Sequence, residues 1–253
     1  MEISRIKIFG SGSSGNSLAI YDSRGRYIVV DVGLPYKKIL KGLCYDLSNC
    51  VSILCSHNHT SDHSKSLDYF IKMGVPCYGN QDVCDNHKGC NVLPKVLKVD
   101  GFTIQNFELV HNVPNNAFVI DTHDGIRILY CTDTQYIPKI VRGVHYAIIE
   151  CNYDMDYMID NAMVGEIRKS AYNYHQSIDN CIEYAKKIYH PNMQKIILWH
   201  LSDGNINEKN ALTKTRYELS TNDIIIGDNG VEIDLKKNEF EIQSEPKGVN
   251  GYH

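Results

Sequence analysis

The chain has 253 residues, of which 43% are hydrophobic and 22% are charged, and this balance is that of an ordinary folded protein with a substantial core. The formal net charge of −4 and an isoelectric point near 6.2 provide no general positive field that would attract a polyanion. The composition therefore weighs against a protein that binds nucleic acid through a basic surface, although metal ions can supply positive charge where a phosphate binds.

The sequence also bears on the compartment in which the protein works. No apolar run approaches the roughly 20 residues that span a bilayer, and the first ten residues lack the apolar stretch of a signal peptide. The nine cysteines are scattered singly without a CxxC pair, as expected for reduced thiols in a cytosol. We therefore expect a cytoplasmic protein without a membrane partner.

The first predicted elements are three strands. Residues 3–9 alternate apolar with polar side chains, and residues 18–21 and 27–33 are mostly apolar and β-branched. The glycine- and serine-rich stretch at residues 10–17 precedes a strand, whereas a phosphate-binding loop needs a helix after it. A tight hairpin that lines the site is therefore favoured over a phosphate cradle.

The remaining elements alternate between helices and strands. Helices are predicted at residues 35–43, 64–73, 178–189 and 207–218. Strands are predicted at residues 51–55, 75–78, 93–99, 102–110, 117–121, 126–131, 147–150, 195–200 and 223–226, with a hairpin through residues 230–233. This order indicates an α/β protein in which two sheets lie between helices, an αββα four-layer sandwich. We expect one domain over residues 1–238 and a loose tail over residues 239–253.

The densest group of metal-binding side chains lies in VSILCSHNHTSDHSKSL, residues 51–67. His57, His59, Asp62 and His63 fall within seven residues, although the whole chain has only 11 histidines. Imidazole and carboxylate are the ligands that suit zinc and similar divalent ions. Because a predicted strand precedes these four residues and a predicted helix follows them, we expect a metal-binding loop at a strand end rather than histidines that face water.

The same stretch resembles the HxHxDH signature of the metallo-β-lactamase fold hydrolases. It departs from the signature because both Thr60 and Ser61 lie between His59 and Asp62, where the signature has a single residue. A one-residue insertion in the loop explains the difference. The glycine-rich turn and the VDVG strand that ends at residue 33 further resemble the small bacterial and phage exonuclease-like branch of phosphodiesterases.

Other candidate residues follow predicted strands. His111 and Asp133 end strands of the central region, and His200 follows the apolar run KIILW. His111 or Asp133 taken alone is more often a hydrogen-bonding residue than a ligand, but their order along the chain matches the family. Asp31 either orients a metal-bound histidine, as the resemblance implies, or caps the turn that follows its strand.

The resemblance implies two divalent metal ions, with zinc expected first and manganese as the alternative. It assigns His57, His59 and His111 to the first ion, Asp62, His63 and His200 to the second, and Asp133 to a bridging position. A hydroxide that bridges two such ions can attack phosphorus. Asp62 and His175 are the predicted catalytic residues.

His175 precedes a predicted helix for which Ser177 is a suitable N-cap. The resemblance implies that His175 faces the site and either protonates the leaving group or binds a phosphate oxygen. The alternative is that it caps the helix. The segment ECNYD at residues 150–154 resembles a family element that supports the site and contacts the substrate.

The predicted function is a metal-dependent phosphodiesterase or nuclease that cleaves phosphodiester bonds in nucleic acid. A second hypothesis is a cyclic-nucleotide phosphodiesterase of the phage anti-defence type, which the acidic isoelectric point favours slightly. A third hypothesis is a binding module that has lost one metal through the insertion at Thr60 and Ser61. A homodimer that closed the mouth of the site would exclude a polymeric substrate.

Overall fold

The structure is a computed structural model that describes residues 3–161 and 166–236. Within these ranges the strands are β1 (Arg5–Gly10), β2 (Ser17–Tyr21), β3 (Tyr27–Val30), β4 (Cys50–Leu54), β5 (Cys77–Gly79), β6 (Asn91–Val92), β7 (Val96–Val99), β8 (Phe102–Leu109), β9 (Asn115–Asp121), β10 (Arg127–Cys131), β11 (Tyr146–Glu150), β12 (Lys195–Trp199), β13 (Ile224–Ile226) and β14 (Glu232–Asp234). The helices are α1 (Tyr36–Gly42), α2 (Leu67–Lys72), α3 (Gln81–Asn86), α4 (Met155–Asp160), α5 (Glu166–Tyr174), α6 (Ile178–Ile188) and α7 (Glu208–Leu219).

The strands form two sheets of seven strands each. The first sheet has the order β14-β1-β2-β3-β4-β5-β6, and the second has the order β13-β12-β11-β10-β9-β8-β7. In each sheet one half is antiparallel and the other half is parallel. The parallel half of each sheet matters for the site, because the carboxyl ends of parallel strands lie at one edge.

Alternating side chains build the layers. In β10, Ile128 and Tyr130 join the core between the two sheets, whereas Leu129 and Cys131 join the core between the second sheet and α6 and α7. The outer face of the first sheet packs in the same way against α1, α2 and α3. The predicted αββα four-layer sandwich is confirmed.

Helix α6 shows how the sequence fixes one of the outer layers. The Ser177 side chain accepts a hydrogen bond from the Asn180 backbone N–H, as its predicted N-cap role requires. Ile178, Ile182 and Ala185 recur at helical spacing and are buried against the second sheet. The cap sets where the helix starts, and the apolar stripe sets the face that it turns to the sheet.

The strand predicted over residues 93–99 forms as the shorter β7, and the preceding strand β6 was not predicted. The chain forms β6 at the edge of the first sheet and β7 at the edge of the second, and it crosses between them at Pro94. Proline has no N–H to donate, which suits an unpaired crossing. The predicted hairpin through residues 230–233 is wrong, because β13 pairs with β12 and β14 pairs with β1 in the other sheet.

Three short helices were not predicted, namely α3, α4 and α5. Both α3 and α4 have an N-cap that the sequence displays, since Asn80 accepts from the Val83 N–H and Asp154 accepts from the Asp156 N–H. None of the helices within the described residues is long and apolar enough to cross a membrane. The predicted loose tail, residues 239–253, lies outside the described residues.

Candidate metal centre

The candidate metal centre lies at the edge of both sheets where several parallel strands end. Strand β4 leads into His57, β10 leads into Asp133, and β12 leads into His200. Strands β3 and β4 are parallel neighbours, and so are β10, β11 and β12. Side chains that are far apart in the sequence therefore meet at this edge.

Three residues at these strand ends adopt the left-handed backbone region. Their φ angles are 54° for Asp31, 49° for Asp133 and 54° for His200. Aspartate and histidine enter this region more readily than most side chains, but each still costs about 1–3 kcal/mol. Such conformations persist only where the surrounding contacts hold them, and here all three side chains contact the metal-binding cluster.

The first group of candidate ligands consists of His57, His59, His111 and Asp133, whose ligand atoms all lie within 4.8 Å of one another. His57 Nε2 lies 3.0 Å from His59 Nδ1 and 3.7 Å from Asp133 Oδ2. His111 Nε2 lies 3.8 Å from the same carboxylate oxygen. Three separate segments of the chain therefore direct side chains to one point.

The second group consists of Asp62, His63, His200 and again Asp133. His63 Nε2 lies 3.2 Å from Asp133 Oδ1 and 3.6 Å from Asp62 Oδ2. His200 Nδ1 lies 3.0 Å from Asp133 Oδ1. The structure thus brings all seven predicted ligands together, with one oxygen of Asp133 towards each group.

The insertion does not displace the residues that follow it. Thr60 and Ser61 are exposed, so the extra residue bulges into solvent. A backbone hydrogen bond closes the loop directly after the insertion, because the His63 N–H donates to the His59 carbonyl oxygen at 2.9 Å. Ser61 Oγ also donates to Asp62 Oδ1 at 2.7 Å, which leaves Asp62 Oδ2 towards His63.

A buried network behind the cluster is centred on the Asp31 carboxylate. Ser56 donates to it twice, from N to Oδ1 at 2.8 Å and from Oγ to Oδ2 at 2.9 Å. Tyr130 donates its hydroxyl to Oδ2 at 2.7 Å, and His63 Nδ1 lies 2.9 Å from the same oxygen. Asp31 was expected either to orient a metal-bound histidine or to cap a turn. The structure shows its carboxylate in contact with the candidate ligand His63.

This network sets the tautomers of two histidines. A carboxylate only accepts hydrogen bonds, so His63 carries its proton on Nδ1. Because the Ser56 hydroxyl hydrogen points to Asp31, His57 Nδ1, which lies 3.0 Å from Ser56 Oγ, must donate to that oxygen. Both histidines are left with Nε2 facing the cluster, as metal ligation requires.

Two buried imidazole nitrogens indicate that the cluster suits a metal. His111 donates from Nδ1 to the Tyr174 carbonyl oxygen at 2.9 Å, which leaves its Nε2 as a lone-pair acceptor. His111 Nε2 is buried and has no hydrogen-bond partner among the described residues, and the buried His200 Nδ1 makes no aligned hydrogen bond there although Asp133 Oδ1 lies 3.0 Å away. Buried polar atoms without partners are costly, and one cation in each group of ligands would satisfy both nitrogens. The residues present therefore fit a divalent metal site.

The pKa values of the candidate ligands also fit a metal site. Burial lowers the pKa of His57 and His59 and brings the pKa of His111 to about 4, so these imidazoles are neutral near pH 7. Burial also acts to lower the pKa of His63, but the neighbouring carboxylates, chiefly that of Asp133, outweigh it and raise the pKa well above its usual value. Burial acts to raise the pKa of Asp133, but the surrounding histidines hold it well below the usual range. The metal-free site therefore holds a proton on His63 where a cation would bind.

His175 lies at the end of α5 and faces the cluster. Its ring centre is 5.6 Å from that of His111 and 5.5 Å from that of His200. Its Nδ1 lies 2.7 Å from Oε1 of the fully buried Glu150. Burial acts to lower the pKa of His175, but Glu150 outweighs it and raises the pKa to about 9. Ser177 and not His175 is the cap of α6.

A cavity of about 450 Å³ opens onto the cluster. Apart from the candidate ligands and His175, its wall is uncharged and mostly polar, and is formed by Ser13, Ser61, Asn152, Ser170, Ala171, Ser202 and Asn205. The described residues that line the cavity include no lysine or arginine. A ligand in this cavity would meet its positive charge at the metal centre and at His175, and hydroxyl or amide groups elsewhere.

The groups that hold the ligands in place were not predicted from the sequence. Ser56 and Tyr130 lie in apolar runs with no local pattern that marks them as polar contacts. Asn16 in the glycine-rich turn was also not predicted as a site residue. Its side-chain Nδ2 lies 3.0 Å from His63 Nε2, and its backbone N–H donates to the Asp62 carbonyl oxygen at 2.8 Å. The predicted hairpin over residues 10–17 forms between the antiparallel strands β1 and β2, and its Ser13 lines the cavity.

The chain is similar to known proteins in its three-dimensional structure. The sequence matches no protein-family model, and no curated protein matches it. The metallo-β-lactamase fold protein YhfI from Bacillus subtilis is similar with a TM-score of 0.75 at 16% identity, over 92% of this chain and 100% of YhfI. Human tRNase Z, short form, gives a TM-score of 0.64 at 13% identity, over 92% of this chain and 99% of its own.

A third similar structure is the isothiocyanate hydrolase from Delia radicum gut bacteria, with a TM-score of 0.58 at 15% identity, over 92% of this chain and 99% of that one. At these identities the likeness concerns the fold and does not extend to a substrate. The chain therefore has the metallo-β-lactamase fold.

Proposed function

We propose that the protein is a metal-dependent hydrolase that cleaves phosphodiester bonds. The observation that carries the proposal is the position of Asp133, whose Oδ2 faces His57 and His111 while Oδ1 faces His63 and His200. One carboxylate between two sets of imidazoles suits a pair of divalent ions. Histidine and carboxylate ligands are compatible with both zinc and manganese.

A bound metal pair would supply Lewis acidity and would lower the pKa of a water molecule from about 15.7 to about 7. The chain's own residues supply position and protons. Asp31 and Ser56 hold the imidazoles of His57 and His63 in the required tautomers. No cysteine belongs to the cluster within the described residues, so the candidate ligands are nitrogen and oxygen, which suits an oxygen-rich phosphodiester.

His175 is the proposed proton donor to the leaving group. With a pKa of about 9 it is protonated near neutral pH, and Glu150 fixes Nδ1 so that Nε2 is free to face the cavity. His175→Ala should therefore slow cleavage of substrates with an alkoxide leaving group more than cleavage of bis(p-nitrophenyl) phosphate, whose leaving group needs little protonation. Metal content should be unchanged, and loss of metal in this variant would contradict the role.

The proposal is tested by metal analysis together with bis(p-nitrophenyl) phosphate turnover. The expected result is two equivalents of metal, turnover that a chelator removes, and turnover lost in Asp133→Asn while the fold is retained. Asp203→Asn is the matched control, because this exposed carboxylate follows His200 in the chain and should leave the rate unchanged. Near-normal turnover in Asp133→Asn would refute the bridging role. One equivalent or none, without turnover, would favour a binding module.

The size and lining of the cavity favour a second candidate within the same chemistry, a small cyclic nucleotide rather than a polymer. A polymer presents further phosphates, and its binding gains from lysine and arginine beside the reacting one. None of the described residues that line the 450 Å³ cavity is a lysine or an arginine. Single-stranded DNA, duplex DNA, RNA and a panel of 3′,5′-cyclic nucleotides, compared at equal enzyme, separate the two. Oligomeric state should be measured alongside, since a homodimer that covers the cavity would exclude a polymer.

A further inference from the structure

Two thiols outside the metal centre lie unusually close together. Cys84 in α3 and Cys90 just before β6 have their Sγ atoms 3.1 Å apart, and both side chains are half-buried. All nine cysteines of the chain are free thiols. A disulfide bond has an S–S length of about 2.05 Å, so closing this pair needs a movement of only about 1 Å.

The backbone between the two cysteines already forms a closed turn. The His87 N–H donates to the Val83 carbonyl oxygen at 2.9 Å, and the Cys90 N–H donates to the His87 carbonyl oxygen at 3.0 Å. Gly89 has a φ of +100°, a conformation that permits the tight return. The turn therefore holds the two thiols together without any cross-link.

His87 connects this turn to the metal-binding loop. Its side chain is buried, with Nδ1 2.8 Å from Asp68 Oδ1 in α2 and Nε2 3.1 Å from Asn58 Oδ1. Asn58 lies between His57 and His59 in the sequence. The residue at the centre of the Cys84–Cys90 turn thus contacts the side chain of the residue that lies between two candidate metal ligands.

We propose that Cys84 and Cys90 form a reversible disulfide, and that the His87 contact transmits its formation to the metal-binding loop. A low-molecular-weight disulfide such as oxidised glutathione serves as the oxidant. One cysteine attacks it and releases one thiol, and the second cysteine then attacks the mixed disulfide and releases another. The two protons of the cysteine thiols end on the two released thiols, so the protein is oxidised and the reagent is reduced.

The cross-link is tested on the fully reduced, metal-free protein. After incubation with oxidised glutathione and blocking of the remaining thiols, tryptic digestion cuts at Lys88 between the two cysteines, so only a disulfide keeps their peptides together. Cys77 lies in the same peptide as Cys84 and supplies the control. The linked pair should form in wild type and in Cys77→Ala, and should be absent from Cys84→Ser. Alkylation of both Cys84 and Cys90 in wild type, or a link that requires Cys77, would overturn the proposal.

The transmission to the loop rests on the proposed metal binding and is tested separately. Oxidised and reduced wild type are titrated with Zn²⁺, and oxidation should weaken binding about fivefold, because the movement strains the single hydrogen bond between His87 and Asn58. In His87→Gln the two redox forms should bind equally. Equal affinity of the two wild-type forms would refute the transmission, whereas no zinc binding by reduced wild type would instead refute the proposed function.

Discussion

The Ser56 hydroxyl offers the sharpest test of how the metal centre is held. It contacts His57 directly at 3.0 Å and reaches His63 through the Asp31 carboxylate. Ser56→Ala removes the acceptor of the His57 Nδ1 proton and leaves a buried N–H without a partner, at a cost of about 1–3 kcal/mol in the free energy of unfolding. Asp31 keeps three of its four donors, so the network as a whole should survive.

The effect on metal binding should exceed the effect on stability. Removing a group that orients a ligand typically lowers metal affinity about 10–100-fold. Because the hydroxyl serves one histidine in each group, Ser56→Ala should weaken both binding steps. Tyr130→Phe removes a donor to Asp31 alone and should weaken only the step that involves His63.

The assay is titration of the metal-free protein with Zn²⁺ and with Mn²⁺, followed by calorimetry and by direct metal analysis. Ser52→Ala is the matched control, because Ser52 lies on the strand that precedes Ser56 and its buried hydroxyl has no hydrogen-bond partner in the part of the chain that is described. This control should bind metal as wild type does. Wild-type affinity for both ions in Ser56→Ala would show that the Ser56 hydroxyl does not hold His57 in the tautomer that binds metal.

Three further predictions concern other parts of the site. Glu150→Gln removes the carboxylate that raises the pKa of His175 to about 9, so the alkaline limb of the pH–rate profile should move towards about 6.5, and an unmoved limb would contradict the proton-donor role. Metal affinity should rise with pH up to the raised pKa of His63, because binding must displace the proton held there below that pKa, and calorimetry in buffers of different ionisation enthalpy should detect its release. Gly33→Ala should lower metal content, because its Cβ would lie 1.7 Å from the Asp62 carbonyl oxygen, and normal content measured by metal analysis would show that the loop tolerates the shift.

The candidate ligands were accessible to sequence reasoning because each follows an apolar run. His57, Asp133 and His200 come within three residues of the ends of β4, β10 and β12, and strands are the elements that local alternation reveals best. The geometry of a strand end then implies that such residues converge. Their convergence could be expected before any distance was known.

The supports of the site were not accessible in the same way. Tyr130 donates to Asp31 across the space between the two sheets, and the two residues are 99 positions apart. Glu150 is the last residue of a fully buried strand, and its pairing with His175 depends on where α5 ends. Contacts of this kind arise from packing between elements, on which local periodicity carries no information.

The pairing of β1 with β14 has a consequence for biosynthesis. Arg5 lies opposite Asp234, so the first sheet is completed only when most of the chain has left the ribosome. The edge of β1 stays open until then, and open edges recruit other chains. A nascent chain of this topology, with pairing so distant in sequence, should fold slowly and depend on chaperones during synthesis more than its length suggests.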